Sequence, residues 1–135
     1  MHDIRFRGKR IDTGEWTEGD LLRTSFYLDD TKHSIIFTDT VEFPRSEFSG
    51  ANEVVPETVG QHTGFCDENG RDVFEGDIVK GYNFLHQDRT IYKVVYEGNG
   101  FYYQDEDDVC WHPDNIDNDV VIGNIHDNPE LWEEE

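Results

Sequence analysis

A chain of 135 residues suits one domain, or two very small ones sharing an interface, and its 11 Lys+Arg against 31 Asp+Glu leave a formal charge of −20. Nine Phe, six Tyr and three Trp can still build a core, so the chain reads as folded. The acid excess repels phosphate backbones and releases no counterions, which speaks against direct nucleic-acid binding and against docking on anionic membranes.

Taken in chain order, short alternating runs recur and no long stretch has apolar residues at helical spacing, an all-β pattern. Ile4 and Phe6 alternate with Arg5 and Arg7 in an opening strand. Leu21–Leu28 and Ser34–Phe37 read as two more. The stretch Phe43–Pro56, with two prolines and Ser49-Gly50, reads as a long loop, and places a boundary near residue 52. Strands then follow at Val73–Lys80, Ile91–Tyr96, Phe101–Tyr103 and Val120–Ile125. Asp67-Glu68-Asn69-Gly70 and Glu97-Gly98-Asn99-Gly100 supply hairpin turns, since Asn-Gly tolerates positive φ.

Glu18-Gly19-Asp20-Leu21-Leu22-Arg23 returns as Glu75-Gly76-Asp77-Ile78-Val79-Lys80, each copy after a glycine and an aromatic. A duplicated β unit, with a tight turn lifting the chain into a core strand, would explain the likeness. Basic residues concentrate at the start (Arg5, Arg7, Lys9, Arg10, Arg23), while no Lys or Arg follows Lys93. A basic first strand against an acidic last third, within or between chains, is one reading of that asymmetry; a solvated acidic face is the favoured one. No apolar run reaches membrane-span length, and MHDIRFRGKR lacks an apolar signal core. Cys66 and Cys110 show no C-x-x-C spacing, so a reduced cytoplasmic setting is expected.

The block Val55-Pro56-Glu57-Thr58-Val59-Gly60-Gln61-His62-Thr63-Gly64-Phe65 runs on through Asp67-Glu68-Asn69-Gly70 to Phe74-Glu75-Gly76-Asp77-Ile78-Val79. That string is very similar to the signature of the YopX family, small phage- and prophage-encoded proteins without an assigned activity. The opening Ile4-Arg5-Phe6-Arg7-Gly8-Lys9 and the close Val121-Ile122-Gly123-Asn124-Ile125-His126-Asp127-Asn128-Pro129-Glu130-Leu131 resemble the family in the same order. The resemblance implies an all-β fold with a small SH3-type barrel in the C-terminal half, an N-terminal β unit, and self-association. It supplies no catalytic residue. The family pattern is weakest over residues 25–52 and in the acidic insert Asp105–Asp108. The expected division is residues 1–52 as the N-terminal β unit with its long loop, 53–127 as the barrel region, and 128–135 as an acidic tail.

Chemical constellations are thin. Cys110 and His112 share a strand face at i, i+2, but no second ligand pair stands at metal spacing, so a buried Cys beside a surface His is the favoured reading. The oxygen-rich Asp67–Gly70 and Asp114–Asp119 do not follow the order of a calcium loop. The motifs of nucleotide binding, serine hydrolysis and zinc proteolysis are absent. Glu75 and Asp77 are two carboxylates on one strand face, yet Gly76 between them favours a turn or bulge. No catalytic residue, metal or cofactor is therefore assigned. Gly70, Glu75, Gly76, Asp77 and Gly123 are expected as structural motif residues. In the aromatic cluster of Tyr96, Phe101, Tyr102, Tyr103 and Trp111, alternation sends one face to the core. Arg5, Arg7, Tyr102 and Trp111 are the expected interaction surface. The functional expectation is a cytoplasmic, non-enzymatic phage protein that binds proteins, itself included. The alternative is an acidic nucleic-acid mimic that occupies a host DNA-binding protein.

Overall fold

The computed structural model describes residues 4–25, 32–37 and 51–133. They form β1 (Phe6–Lys9), β2 (Trp16–Ser25), β3 (Lys32–Phe37), β4 (Ala51–Val54), β5 (Gly60–Cys66), β6 (Asp72–Phe74), β7 (Asp77–Asn83), β8 (Asp88–Glu97), β9 (Gly100–Gln104), β10 (Cys110–Trp111) and β11 (Ile116–Asn124). Two 3-10 turns, Pro56–Thr58 and Pro113–Asn115, and one short helix α1 (Pro129–Glu133) complete them. The fold is all-β, as the alternation implies. Residues 26–31 and 38–50, where the ends of the Leu21–Leu28 strand and most of the Phe43–Pro56 loop fall, lie outside the described residues.

The chain divides into two compact units, Met1–His62 and Thr63–Glu135. In the first, antiparallel strands run in the order β4-β3-β2-β1-β5, and an isolated bridge from Arg10 to Val54 ties the far edge back to the residue after β1. Ile36 and Val54 are fully buried. The Lys9 N–H donates to Thr58 Oγ1 at 2.9 Å, and that hydroxyl donates onward to the Val55 carbonyl at 2.6 Å, which anchors the 3-10 turn to β1. Gly19 sits inside β2 opposite Phe6, and Asp20 is exposed. Gly76 instead sits at the turn between β6 and β7, and Asp77 is buried. The Glu-Gly-Asp likeness thus covers two different local structures, because in β2 pairing with both neighbours extends the chain through the glycine.

The second unit is a five-stranded antiparallel sheet in the order β10-β9-β8-β7-β11, covered by the β5–β6 hairpin. Val73, Val79, Tyr92, Val94, Tyr103, Ile116 and Val121 form its core, with Phe65 and Trp111 packed against it. Tyr92 and Tyr103 stack with centroids 6.1 Å apart, and Phe65 meets Tyr103 edge-on at 6.1 Å. Each such buried side chain removes enough apolar area to stabilise the fold by about 1.5–3 kcal/mol.

The sheet is open, so the closed barrel expected for the C-terminal half is not formed. Its two edge strands are nonetheless consecutive in the chain. Across a flat sheet they would stand about 19 Å apart, four strand spacings. The four residues between Trp111 and Ile116 reach at most about 17 Å when extended, and three of them are in a 3-10 turn. The sheet must therefore curl, and it does so without hydrogen-bonding its edges to each other.

Local irregularities have identifiable causes. Val73–Lys80, expected as one strand, is two, because Gly76 at φ +94° turns the chain. In β11 the register slips between Asp117 and Val120 and again between Val121 and Gly123. The first slip shifts the inward face by one residue, so Val121 enters the core and Ile122 is left 39% exposed. Cys110 is exposed rather than buried, since β10 is an edge strand. Among the described residues no helix is long and apolar enough to cross a membrane.

Candidate functional site

The curl leaves an open cleft of about 500 Å³ where the sheet fails to close. Phe65 from β5, Phe101 from the start of β9, Ile116 from β11 and Pro113 from the connecting turn supply apolar walls. Thr63, Cys66, His112, Asp114 and Asp119 add polar groups, and among the described residues no Lys or Arg lines the cleft. The walls are held from behind. Phe101 packs edge-on against Tyr96 at 5.0 Å, and Phe65 against Tyr103. The Thr63 hydroxyl donates to the Val73 carbonyl at 2.7 Å. His112 Nδ1 accepts the Asp114 N–H at 3.1 Å and caps the 3-10 turn.

Asp119 is the cleft's oriented charge. Its Oδ2 accepts the Tyr103 hydroxyl at 2.6 Å. Burial drives the Tyr103 phenol far above its ordinary pKa, and the hydrogen bond to Asp119 adds to this, so the hydroxyl stays a donor. The carboxylate is half-buried and keeps its second oxygen without a hydrogen-bond partner among the described residues.

Beneath the cleft, Asp67 ties the Asn69-Gly70 turn to β11. Oδ1 accepts the N–H groups of Asn69 and Arg71, each at 2.9 Å, and Oδ2 accepts that of Val121 at 2.9 Å. The Glu68 N–H donates to the Asp119 carbonyl at 2.9 Å. Burial alone would raise the Asp67 pKa, but three backbone donors and the Arg71 charge outweigh it and lower it. The acidic insert is organised by the same chemistry. Asp105 Oδ1 accepts from Asp107 and Val109 N–H, and Oδ2 accepts from Trp111 Nε1 at 2.9 Å. Here too burial opposes and the donors prevail, so the Asp105 pKa is lowered.

The residues singled out from sequence lie elsewhere. Gly70 at φ +82° closes the turn after Asp67, with Glu75 and Gly76 at the β6–β7 turn. Asp77 is buried, and its Oδ2 accepts the Phe74 N–H at 2.8 Å, which uses it to hold that turn. Gly123 faces the loop before α1, where an added Cβ would lie 2.5 Å from Asn128 Oδ1. Arg5 pairs with Glu18 at 3.3 Å. Arg7, expected at a surface, is buried with its guanidinium 4.6 Å over the Trp16 ring. Tyr102 meets His112 edge-on at 6.5 Å, and Trp111 is part-buried against Asp105 and the His86 ring. None of these nine residues lines the cleft. Cys110 does not line it with His112, and no group of three or more His, Cys, Asp or Glu side chains fit to hold a metal gathers among the described residues.

The cleft's makers, Phe65, Phe101, Ile116 and Asp119, are far apart in sequence and meet only through the curl. The family model of the YopX protein matches residues 5–133, nearly the whole chain. The chain belongs to the YopX family. Among solved structures it is similar to the crystal structure of protein EF1440 from Enterococcus faecalis, at 25% identity and a TM-score of 0.55. The likeness covers 98% of this chain and 100% of that one. No curated protein matches it.

Proposed function

We propose that this YopX family member is a non-enzymatic interaction protein, of phage or prophage origin and acting in the bacterial cytoplasm, that docks a protein partner in the cleft of its C-terminal unit and also self-associates. The observation that carries the reading is the cleft itself, an unclosed seam with aromatic and aliphatic walls and one oriented carboxylate. Such a site offers apolar contact area and a fixed polar group, the two ingredients of recognition. Among the described residues no hydrogen bond pairs His112 with Thr63 or Cys66: His112 Nδ1 accepts the Asp114 N–H, and the Thr63 hydroxyl donates to the Val73 carbonyl.

The test uses immobilised full-length protein against a bacterial lysate, beside Phe101→Ala of equal melting temperature. Proteins retained by the wild type and lost by the variant support docking in the cleft; identical retention overturns it. Light scattering across a salt series reports self-association, and a species that stays monomeric throughout removes that part.

A second reading, the nucleic-acid mimic, is favoured by one observation. Residues 63–135 hold four Lys or Arg against nineteen Asp or Glu. Duplex DNA that displaces the retained protein, insensitive to Phe101→Ala, would decide for mimicry.

A further inference from the structure

We propose that the occupant of the cleft is an extended basic segment of a partner protein, in which an Arg or Lys stands two residues from a large apolar residue. This rests on the reading of the cleft as a docking site and names the chemistry of what docks there. Three features converge. The walls at Phe65, Phe101 and Ile116 are apolar and fixed by packing behind them, so they reward an apolar side chain without ordering cost. Asp119 is held by the Tyr103 hydroxyl in one orientation beside those walls, with Asp114 exposed on the rim. A carboxylate already desolvated on one side gains more from a cation than an exposed one does. And because no Lys or Arg among the described residues lines the cleft, no fixed positive charge there answers its carboxylates.

The form of the ligand follows from the form of the site. An open seam between strands admits a chain better than an enclosed small molecule. In an extended chain, side chains two residues apart point the same way at about 6.6 Å, so an apolar residue can enter the aromatic walls while its i+2 neighbour reaches Asp119. Acidic peptides and phosphate backbones meet the unit's nineteen acids and are repelled, whereas a basic segment is drawn in. A second copy's C-terminal unit brings the same sign of charge and is disfavoured for the same reason.

The probe is the fluorescein-labelled hexapeptide Leu-Ser-Arg-Leu-Ser-Arg (Leu/Arg), with each Arg two residues from a Leu, read by fluorescence anisotropy with the full-length protein. Leu/Glu and Ser/Arg hexapeptides serve as controls. The Leu/Arg peptide is expected to bind, with both controls at least about tenfold weaker, the size of one lost charge-assisted contact. Asp119→Asn, which keeps an acceptor for Tyr103, is expected to weaken it about tenfold, and so is Phe101→Ala. Asp114→Asn, at an exposed position, keeps the test open if Asp119→Asn fails to fold and should weaken binding two- to threefold. Absence of Leu/Arg binding, equal binding of either control, or indifference to these substitutions overturns the inference. Those results leave the docking reading standing if Phe101→Ala still loses a retained lysate protein, so the two failures are distinguishable.

Discussion

Replacing Asp67 by Asn probes the joint that seats the β5–β6 hairpin on β11. The carboxylate accepts three backbone N–H groups, each at 2.9 Å, in a buried position. An amide can keep Oδ1 for Asn69 and Arg71 only by turning its NH2 toward the Val121 N–H, donor against donor. One charge-assisted hydrogen bond is then lost and a buried N–H is left unpaired, a cost of about 2–3 kcal/mol. Asp67→Ala loses all three partners and should cost about 4 kcal/mol. For a unit of this size the Asn variant should melt about 10 °C lower. Acid dependence sharpens the test. The folded-state pKa of Asp67 is lowered, so its stabilisation is fully present above the ordinary carboxylate pKa of about 4 and is lost as pH falls through the lowered value. Urea unfolding should show a constant gap between wild type and Asp67→Asn from neutral pH down to about 4, narrowing below. A gap under about 0.5 kcal/mol at neutral pH, or one that does not narrow on acidification, would refute the reasoning.

Three further outcomes follow from the same geometry. Gly123→Ala should destabilise by about 1–3 kcal/mol in urea unfolding, because its methyl group would lie 2.5 Å from Asn128 Oδ1 and 3.1 Å from Leu131 Cδ1. Tyr103→Phe should cost about 1 kcal/mol at neutral pH. It should also flatten the alkaline loss of stability: a phenol with a raised folded pKa stabilises fully below its unfolded value near 10, and progressively less as pH climbs above it. An alkaline melting series checks both. Asp105→Ala should expose Trp111 and red-shift its emission, since it removes the indole's acceptor at 2.9 Å and two backbone bonds of the insert; an unchanged spectrum would contradict this.

What the sequence made legible was local. Alternation at Phe101–Tyr103 and Ile91–Tyr96 marked real strands, and Asn69-Gly70 and the Glu97–Gly100 run marked real turns, because pleat and turn chemistry act over a few residues. In the latter run the positive φ falls on Gly98, and Gly100 already opens β9. Ala51–Val54, Gly60–Cys66 and Cys110–Trp111 passed unnoticed as strands. They are short or broken by Gly64, and their pairing comes from partners distant in the chain. In β11 a bulge shifts the inward face by one residue, which alternation along Val120–Ile125 does not reveal. Arg7 misled because an aromatic neighbour across the sheet, Trp16, allows a guanidinium to be buried. The cleft was illegible altogether. It arises where a curled sheet stops short of closure, and the only hint in the sequence was the short Trp111–Ile116 link between two edge strands.

The two exposed cysteines offer the most direct measurement, since Cys66 lines the cleft and Cys110 does not. Isotope-coded maleimide labelling of the full-length protein, with and without bacterial lysate, gives the Cys66-to-Cys110 ratio by mass spectrometry, with Cys110 as the internal control. If a partner occupies the cleft the ratio falls in lysate and recovers in Phe101→Ala; a ratio unmoved by lysate would contradict docking there.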